Sequence, residues 1–365
     1  MISNLKIRNF RMFGELEIPR CGQLNLLVGR NNTGKSSILE ALCLLAANGS
    51  TRSFSKILLG RDEAFDRGPA PIGVSFCLLH RGAPEGAGFE LRTGDRVLSA
   101  RPAYFRWAEE EDLPGRRLKR LGDTDDPDGA ELRLEVEWNQ GRRVLPLDER
   151  LFRRPREMGL SPDAKSFQLS LFDSAGEAPD LPWVFVGTEG LNIEEMSALW
   201  SGIALTDLQD RIGQQLRNCF SEIEGVSIIQ RGVRPAAIVK VRGSDRPVAL
   251  RSLGEGAHRF FCLAMAAASA SNGILLIDEV EIGIHHSIQL ELWRLLASMA
   301  ADFNVQVFAT THNEDTVKAF GVVAEELPEG EGQLIRLQNR NGMIEAVNFD
   351  SSELAYIRTN GLEVR

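Results

Sequence analysis

The amino-acid sequence predicts an α/β fold with a mostly parallel central sheet, helices on both of its faces, and an additional antiparallel β lobe. From residue 182 to the end, helical stretches alternate with short buried strands such as ILLI at 274–277, which is typical of a parallel sheet covered by helices. Between residues 61 and 181, strand-like pieces such as ELRLEVEW are separated by charged loops rich in proline and glycine. The two patterns therefore indicate two kinds of sheet in one chain.

Three segments follow from these patterns. Residues 1–60 alternate like a strand in LKIRNF and then run from LNLLVG into an apolar helix at about 36–47. Residues 61–181 form the expected inserted lobe. Residues 182–365 hold the remaining strands and helices, and their stretch ELPEGEGQLIRLQNRNGMIEAVNF is predicted to form a short hairpin. No tandem repeat and no sustained heptad pattern is present, so a long coiled-coil arm is not expected.

The composition is that of an acidic protein. The chain has 42 lysine and arginine residues against 51 aspartate and glutamate residues, a net charge of −9, which argues against a basic coat for non-specific nucleic-acid binding. Its five cysteines lie far apart without a CxxC pair, as expected in a reducing cytoplasm. No apolar run is long enough to span a bilayer, so we expect a cytoplasmic protein without direct membrane insertion.

The stretch GRNNTGKSS at 29–37 matches the phosphate-binding loop pattern G-x-x-x-x-G-K-[ST] between a strand and a helix. Lys35 is expected to bridge the β- and γ-phosphates of ATP, and the Ser36 hydroxyl is expected to bind Mg²⁺. The positive end of the helix dipole also favours an anion at this position. The residues expected to contact the nucleotide here are Gly29, Arg30, Asn31, Asn32, Thr33, Gly34, Lys35, Ser36 and Ser37.

Two acids end the apolar strand in GILLIDEVEIG at 273–283. Asp278 suits a Mg²⁺ ligand that acts with Ser36, and Glu279 suits a general base that polarises the attacking water. An acidic helix N-cap after a strand is the structural alternative, but the phosphate-binding loop elsewhere in the chain favours the catalytic interpretation.

Two further motifs complete the pattern. In VQVFATTHNED at 305–315, His312 follows the next apolar strand and is predicted to hydrogen-bond the γ-phosphate and sense its loss. In RSLGEGAHRFF, Ser252, Gly254 and Gly256 open a helix and form a second candidate anion site. By itself the second motif is equally consistent with an ordinary glycine-rich helix start.

Taken together and in their order along the chain, the four motifs resemble those of the ABC-type ATPases of the SMC, Rad50, RecF and OLD group. NFR at 9–11 and the phosphate-binding loop look like the N-terminal lobe of that group, SLGEG at 252–256 lies where its signature belongs, and ATTHNED at 309–315 matches its switch histidine. The length, the form IDEVEIGIHHS at 277–287 and the ending NGLEVR look most like stand-alone OLD-like AAA family ATPases. Many of those act in bacterial anti-phage defence.

The resemblance implies an ABC-type ATPase head that forms a homodimer around ATP·Mg²⁺. Assembly of such dimers into larger oligomers is compatible with it. Ser252, Gly254, Glu255 and Gly256 of one subunit would close on the γ-phosphate that Lys35 and Ser36 of the other subunit hold. The glutamine of the Q-loop, expected near residues 55–80, is missing from that stretch.

The same resemblance implies that any effector acts in trans. Because only 53 residues follow His312, a Toprim nuclease domain like that of OLD proteins does not fit there. A separate nuclease or toxin is therefore the expected partner.

DNA or RNA binding is a weaker expectation. Residues 101–157 contain basic clusters such as RRLKR at 116–120 and RRPR at 153–156, but they hold 13 basic against 14 acidic residues, which favours a mixed-charge surface. Three alternatives to an effector switch stay open: the nucleotide-binding subunit of an ABC transporter, a RecF-like DNA-repair ATPase, and a scaffold that binds ATP but barely hydrolyses it.

Overall fold

Two sheets with a helix between them form the frame of the protein. The computed structural model describes residues 1–61, 63, 78–84, 86–109, 116–122, 125–126, 128–139, 141–147, 181–231 and 234–360. The strands in these ranges are β1 (Leu5–Phe10), β2 (Phe13–Ile18), β3 (Leu24–Gly29), β4 (Phe89–Thr93), β5 (Arg96–Glu109), β6 (Arg116–Arg120), β7 (Glu131–Trp138), β8 (Gly141–Pro146), β9 (Trp183–Val186), β10 (Ile223–Arg231), β11 (Arg234–Val241), β12 (Val248–Ala249), β13 (Ile274–Ile277), β14 (Gln306–Thr310), β15 (Gly332–Arg340) and β16 (Met343–Phe349). The α-helices are α1 (Lys35–Ala46), α2 (Thr51–Leu59), α3 (Ile193–Ile203), α4 (Asp207–Cys219), α5 (Glu255–Ser269), α6 (Gln289–Phe303), α7 (Glu314–Glu326) and α8 (Ser351–Asn360).

The central sheet is mostly parallel, as predicted. Its strand order is β16-β15-β3-β14-β13-β9, and β16 is antiparallel to its neighbour while the other pairs are parallel. The predicted hairpin near the C-terminus is therefore the edge of this sheet. Every residue of β3, β13 and β14 is buried, because helices or a second sheet cover both faces.

Alternate residues of the central strands pack on opposite faces, so the prediction of helices on both faces is confirmed. Leu24, Leu26 and Val28 of β3 pack in a core with residues of α3 to α7. Leu27 of the same strand points to the other core, which contains α1, α2 and the antiparallel sheet. Helix α1 is thus held between two sheets, and this fixes the direction in which its N-terminus points.

The antiparallel lobe is present, but it draws on two segments of the sequence. Its strand order is β2-β1-β4-β5-β7-β8, with β6 paired to β5. Strands β1 and β2 come from the segment 1–60, so the boundary expected at residue 60 does not separate the two sheets. The reason is their pattern: residues alternate between buried and exposed along β1 and β2, which suits a sheet with one solvated face.

Residues 192–222 contain two helices, α3 and α4, and the chain turns between them at Leu205, whose φ is 61°. Of the stretch IGVSFCLL at 72–79, only Leu78 and Leu79 are among the described residues, and Leu79 forms an isolated bridge to Phe10. Most of the stretch 55–80 beyond α2, where the Q-loop is expected, also lies outside them.

No helix in the described ranges combines the length and the hydropathy that a membrane crossing requires.

The junction of β9 and β13 gives a test of this packing. The Ile274 N–H donates to the Pro182 carbonyl oxygen at 2.9 Å, and a side chain on Gly273 would overlap that oxygen. We expect Gly273→Ala to lower the free energy of unfolding by roughly 3 kcal/mol, because overpacking must push the two strands apart.

Gly321→Ala is the matched control. Gly321 lies inside α7, and a side chain there would meet no atom within 4 Å. We expect this variant to be more stable by about 0.5–1 kcal/mol, since alanine costs less backbone entropy in a helix. Urea unfolding curves measure both changes, and a Gly273→Ala protein as stable as the wild type would contradict the packing described for β9.

Candidate active site

The phosphate-binding loop joins β3 to α1, as the sequence predicts. Gly29 and Gly34 have φ angles of 145° and 90°, in the region that favours glycine. A side chain on Gly34 would overlap the Phe13 ring and lie 2.6 Å from Met12 Sδ, so the β1–β2 turn packs directly on the loop. Helix α1 begins at Lys35 without a side-chain cap, which leaves the N–H groups of its first turn available to an anion.

Lys35 spans the loop from its helical position. Its Nζ donates to the Gly29 carbonyl oxygen at 2.8 Å and to the Arg30 carbonyl oxygen at 3.2 Å. Burial lowers the pKa of Lys35, and the charges of Asp278 and Glu279 only partly oppose this effect. Phosphate groups bound on the loop would add negative charge beside this half-buried ammonium and would raise its pKa.

Ser36 and Asp278 meet at the predicted metal position although they are 242 residues apart in sequence. The Ser36 hydroxyl donates to Asp278 Oδ1 at 3.0 Å. Adjacent ligands of an octahedral Mg²⁺, each at about 2.1 Å from the ion, lie about 3 Å apart, and Mg²⁺ prefers oxygen ligands. The spacing and the chemistry of this pair thus suit Mg²⁺.

Thr310 joins the two acids that follow β13. Its hydroxyl donates to Asp278 Oδ1 at 2.6 Å and accepts the backbone N–H of Glu279 at 2.8 Å. Glu279 has a φ of 47°, which is uncommon for a residue with a side chain. The hydrogen bond from the Glu279 N–H to Thr310 helps hold this conformation. Glu279 lines the same cavity as Ser36.

His312 lies beside the candidate base, and its contact with the γ-phosphate stays a prediction. Its Nδ1 is 3.6 Å from Glu279 Oε1 and 3.4 Å from Glu281 Oε1. The backbone N–H of His312 also donates to Glu281 Oε1 at 3.3 Å. The imidazole is about half exposed, with 53% of its side chain accessible, so it can be reached from outside the chain.

The signature residues lie apart from the loop within one chain. Ser252 belongs to a short 3-10 helix, Gly254 has a φ of 100°, and α5 begins at Glu255. Ser252, Gly254 and Glu255 are exposed, and Glu255 lies 3.9 Å from Arg251. Together with Gly256, they do not contribute to the wall of the cavity over the phosphate-binding loop.

That cavity has a volume of about 1320 Å³, which is ample for a nucleoside triphosphate. Its floor is the phosphate-binding loop with Asp278 and Glu279. Its walls come from the antiparallel sheet and from the C-terminal hairpin. The loop residues on its surface are Asn31, Asn32, Thr33, Gly34, Lys35, Ser36 and Ser37, and the wall residues include His80, Tyr104, Leu132, Asn339 and Ile344. Arg30 is exposed, and its carbonyl oxygen accepts the Thr33 hydroxyl at 2.8 Å.

A buried ion-pair network fixes α1 behind the loop. Arg11 Nε donates to Glu40 Oε2 at 2.8 Å, and Arg61 Nε donates to Glu40 Oε1 at 2.5 Å. Arg11 Nη1 also bonds Glu63 at 2.7 Å. Because Glu40 lies on α1, the network ties the helix to the β1–β2 turn and to the segment after α2. Arg61 reaches Ser37 Oγ at 3.4 Å and lies at the cavity surface.

The basic clusters of the middle segment are mixed with acids in the described part of the lobe. RRLKR forms β6, and Arg101, Arg120 and Arg142 surround the buried carboxylate of Glu135. The cluster RRPR at 153–156 lies outside the described residues.

No role is predicted from the sequence for Thr310, Glu281 or Arg61. Thr310 is the last residue of a buried strand that pairs with β13, and this position could have indicated a role for it. Glu281 repeats an acid two residues after Glu279, which is a second signal. Nothing in the local sequence around Arg61 indicates that it reaches α1, because that contact depends on how α2 packs.

The chain is similar to several known proteins. An ATP/GTP phosphatase of Helicobacter pylori is 23% identical over 345 residues, which cover 89% of this chain and 89% of that protein. A DNA replication and repair protein RecF of Saccharophagus degradans is 44% identical over 66 residues, 18% of each chain. The crystal structure of an SMC head bound to the C-winged helix domain of ScpA aligns with 98% of this chain and 99% of its own, with a TM-score of 0.50 and 14% identity.

The likeness to the SMC head confirms the predicted fold of an ABC-type ATPase head with an antiparallel lobe. The OLD-like subtype stays a prediction. A family model matches residues 24–317. This range begins at β3, includes the phosphate-binding loop, the signature, β13 and the two acids after it, and ends just past His312. The chain therefore belongs to the family described as "AAA domain, putative AbiEii toxin, Type IV TA system".

Proposed function

We propose that this protein is an ATPase that binds ATP·Mg²⁺ on the phosphate-binding loop and completes its site with the signature of a second copy. The observation that carries the proposal is the meeting of Ser36, Asp278 and Glu279 around one cavity. The relative named ATP/GTP phosphatase supports hydrolysis of a nucleoside triphosphate.

Each residue of the site has a defined task in this proposal. Lys35 and the N-terminus of α1 hold the β- and γ-phosphates, and Ser36 with Asp278 holds Mg²⁺. The metal ion, when bound, neutralises the charge that develops on the phosphate oxygens. Glu279 accepts the proton of the water that attacks the γ-phosphate, ADP leaves with the bridging oxygen, and His312 donates a hydrogen bond to an oxygen of the γ-phosphate.

The dimer is proposed because one chain separates two anion-binding elements. The loop lies in the cavity, whereas the signature at the start of α5 is exposed and outside its wall. A head-to-tail homodimer brings the signature of each chain to the loop of the other. ATP would then act as part of the interface, so that binding favours assembly and hydrolysis favours separation.

Glu279→Gln tests the assigned base. The amide has nearly the same shape but cannot accept a proton from water, so we expect phosphate release to fall at least about 100-fold. ATP affinity should stay near the wild-type value, and a dimer should accumulate in ATP and Mg²⁺. Phosphate release, nucleotide titration and light scattering measure these quantities. Exposed Glu329→Gln is the control, and undiminished turnover of Glu279→Gln would exclude Glu279 as the base.

Mixing two inactive variants tests the shared site. Lys35→Ala should abolish nucleotide binding, and Ser252→Arg should block the signature without touching the loop of its own chain. If sites are shared, an equal mixture contains heterodimers with one intact site, and activity should return to about a quarter of the wild-type rate. A mixture as inactive as its components would contradict a site built from two chains.

The output that we propose is the switching of a separate effector, a nuclease or toxin, with a clamp on nucleic acid as the alternative. The description of the family, which names a toxin of a type IV TA system, links the family to toxin–antitoxin systems. The ATPase rate should rise with the product of the adjacent gene under the first proposal and with DNA under the second. Side-by-side rates with each addition distinguish the two, and the ABC-transporter alternative predicts co-purification with a membrane subunit instead.

A further inference from the structure

The ring of His312 lies between two carboxylates that have different surroundings. Glu279 is at the cavity surface, with 37% of its side chain exposed, and it is the proposed base. Glu281 is buried, with 7% of its side chain exposed, and it lies closer to His312 Nδ1. The two acids therefore cannot have equal roles toward the histidine.

Glu281 contacts both the backbone and the ring of His312. Its Oε1 accepts the His312 backbone N–H at 3.3 Å and lies 3.4 Å from Nδ1 of the ring. An acceptor held by the backbone cannot drift relative to the residue that it orients. By contrast, Glu279 must turn toward water to act as a base, so it is a poor fixed support for the ring.

The position of Glu281 is itself well fixed. Its carbonyl oxygen accepts the Ile284 N–H at 2.9 Å within the turn that follows β13. Arg259 of α5 is also buried, and burial lowers the pKa of its guanidinium, while the charges of Cys262 and Glu281 act in the opposite direction. In the described chain, Glu281 Oε2 and the Nε and Nη2 atoms of Arg259 have no hydrogen-bond partner. Burying a carboxylate costs less when a positive charge lies nearby, and Arg259 supplies such a charge.

We propose that Glu281 is a positioning residue that accepts a hydrogen bond from His312 Nδ1–H and so turns Nε2 toward the γ-phosphate, to which Nε2–H donates when the ring carries both protons. The proposal rests on the ATPase function proposed above. The two ring nitrogens of histidine point in opposite directions, and a carboxylate bonded to one of them fixes both the tautomer and the ring plane. Glu281 would thus act on catalysis only through His312.

The first measurement reads the ring directly and needs no turnover. The chain has five histidines, so nitrogen-15 NMR of the histidine-labelled full-length protein can assign His312 by its loss in His312→Gln. We expect the wild type to carry a proton on Nδ1 of His312. In Glu281→Ala the proton on Nδ1 should be lost, and in Glu281→Gln, whose side-chain oxygen still accepts a bond, the wild-type state should be largely restored.

Asp315→Asn is the matched control for this spectrum. Asp315 lies three residues after His312, is exposed, and pairs with Lys318 at 4.0 Å. Its loss of charge should leave the His312 signals unchanged. Thermal unfolding of each variant identifies any that fails to fold. If Glu281→Ala fails to fold, the spectrum of Glu281→Gln still tests the proposal, because a His312 ring without a proton on Nδ1 in that variant would contradict it.

The second measurement is a double-mutant cycle of steady-state hydrolysis. We expect Glu281→Ala to lower kcat about 10- to 100-fold while KM and nucleotide affinity change little, since such supporting residues typically have effects of that size. Glu281→Ala combined with His312→Ala should be no slower than His312→Ala alone.

Two results would overturn the proposal. One is a His312 ring whose proton stays on Nδ1 in Glu281→Ala, which would assign the support to Glu279. The other is a double variant whose fold-decrease in kcat equals the product of the fold-decreases of the two single variants. If instead the wild type releases no phosphate, the proposed ATPase function fails, and the NMR result still decides the role of Glu281.

Discussion

The pairing of β3 with β14 is the constraint on which the site depends. Strand β3 ends at the phosphate-binding loop, β14 ends at Thr310, and β13 ends just before Asp278, in this order across the sheet. Because these strands are parallel, their carboxyl ends meet at one edge. The Thr310 hydroxyl can therefore bond Asp278 Oδ1, and Asp278 lies within 3.0 Å of Ser36 Oγ on α1.

The electrostatics of this edge are those of a site prepared for a charged ligand. Three carboxylates, Asp278, Glu279 and Glu281, lie near a single half-buried ammonium, Lys35. Even so, burial is the larger influence and lowers the pKa of Lys35. A divalent cation would offset the carboxylates and a triphosphate would offset the ammonium, so the two ligands compensate opposite charges in the same small volume. This complementarity is why the proposal needs ATP and Mg²⁺ together.

The antiparallel sheet contributes to the site as much as the parallel one. Its β1–β2 turn packs Met12 and Phe13 against Gly34, and it supplies Arg11 to the ion-pair network on α1. The same sheet forms a wall of the cavity through Tyr104. A change in the position of this sheet would therefore move the phosphate-binding loop, so the lobe is coupled directly to the nucleotide site.

The sequence by itself determined which residues are chemically able to serve and roughly which local structure holds each. Four consecutive apolar residues before Asp278 indicated a strand buried on both faces, and the glycines at 29 and 34 indicated a turn open to phosphate. These features are local, since they depend on spacing and on backbone conformations that only glycine adopts readily.

Only the tertiary structure decided which of these residues meet. Three contacts show this, and each joins residues about 30 or more positions apart. They are the hydrogen bond from Thr310 to Asp278, the hydrogen bond from the His312 backbone to Glu281, and the pairing of β1 with β4 in the antiparallel sheet. Such contacts depend on strand order and on the direction in which a helix is clamped between sheets. Local sequence pattern does not encode that order, because many orders bury the same apolar faces equally well.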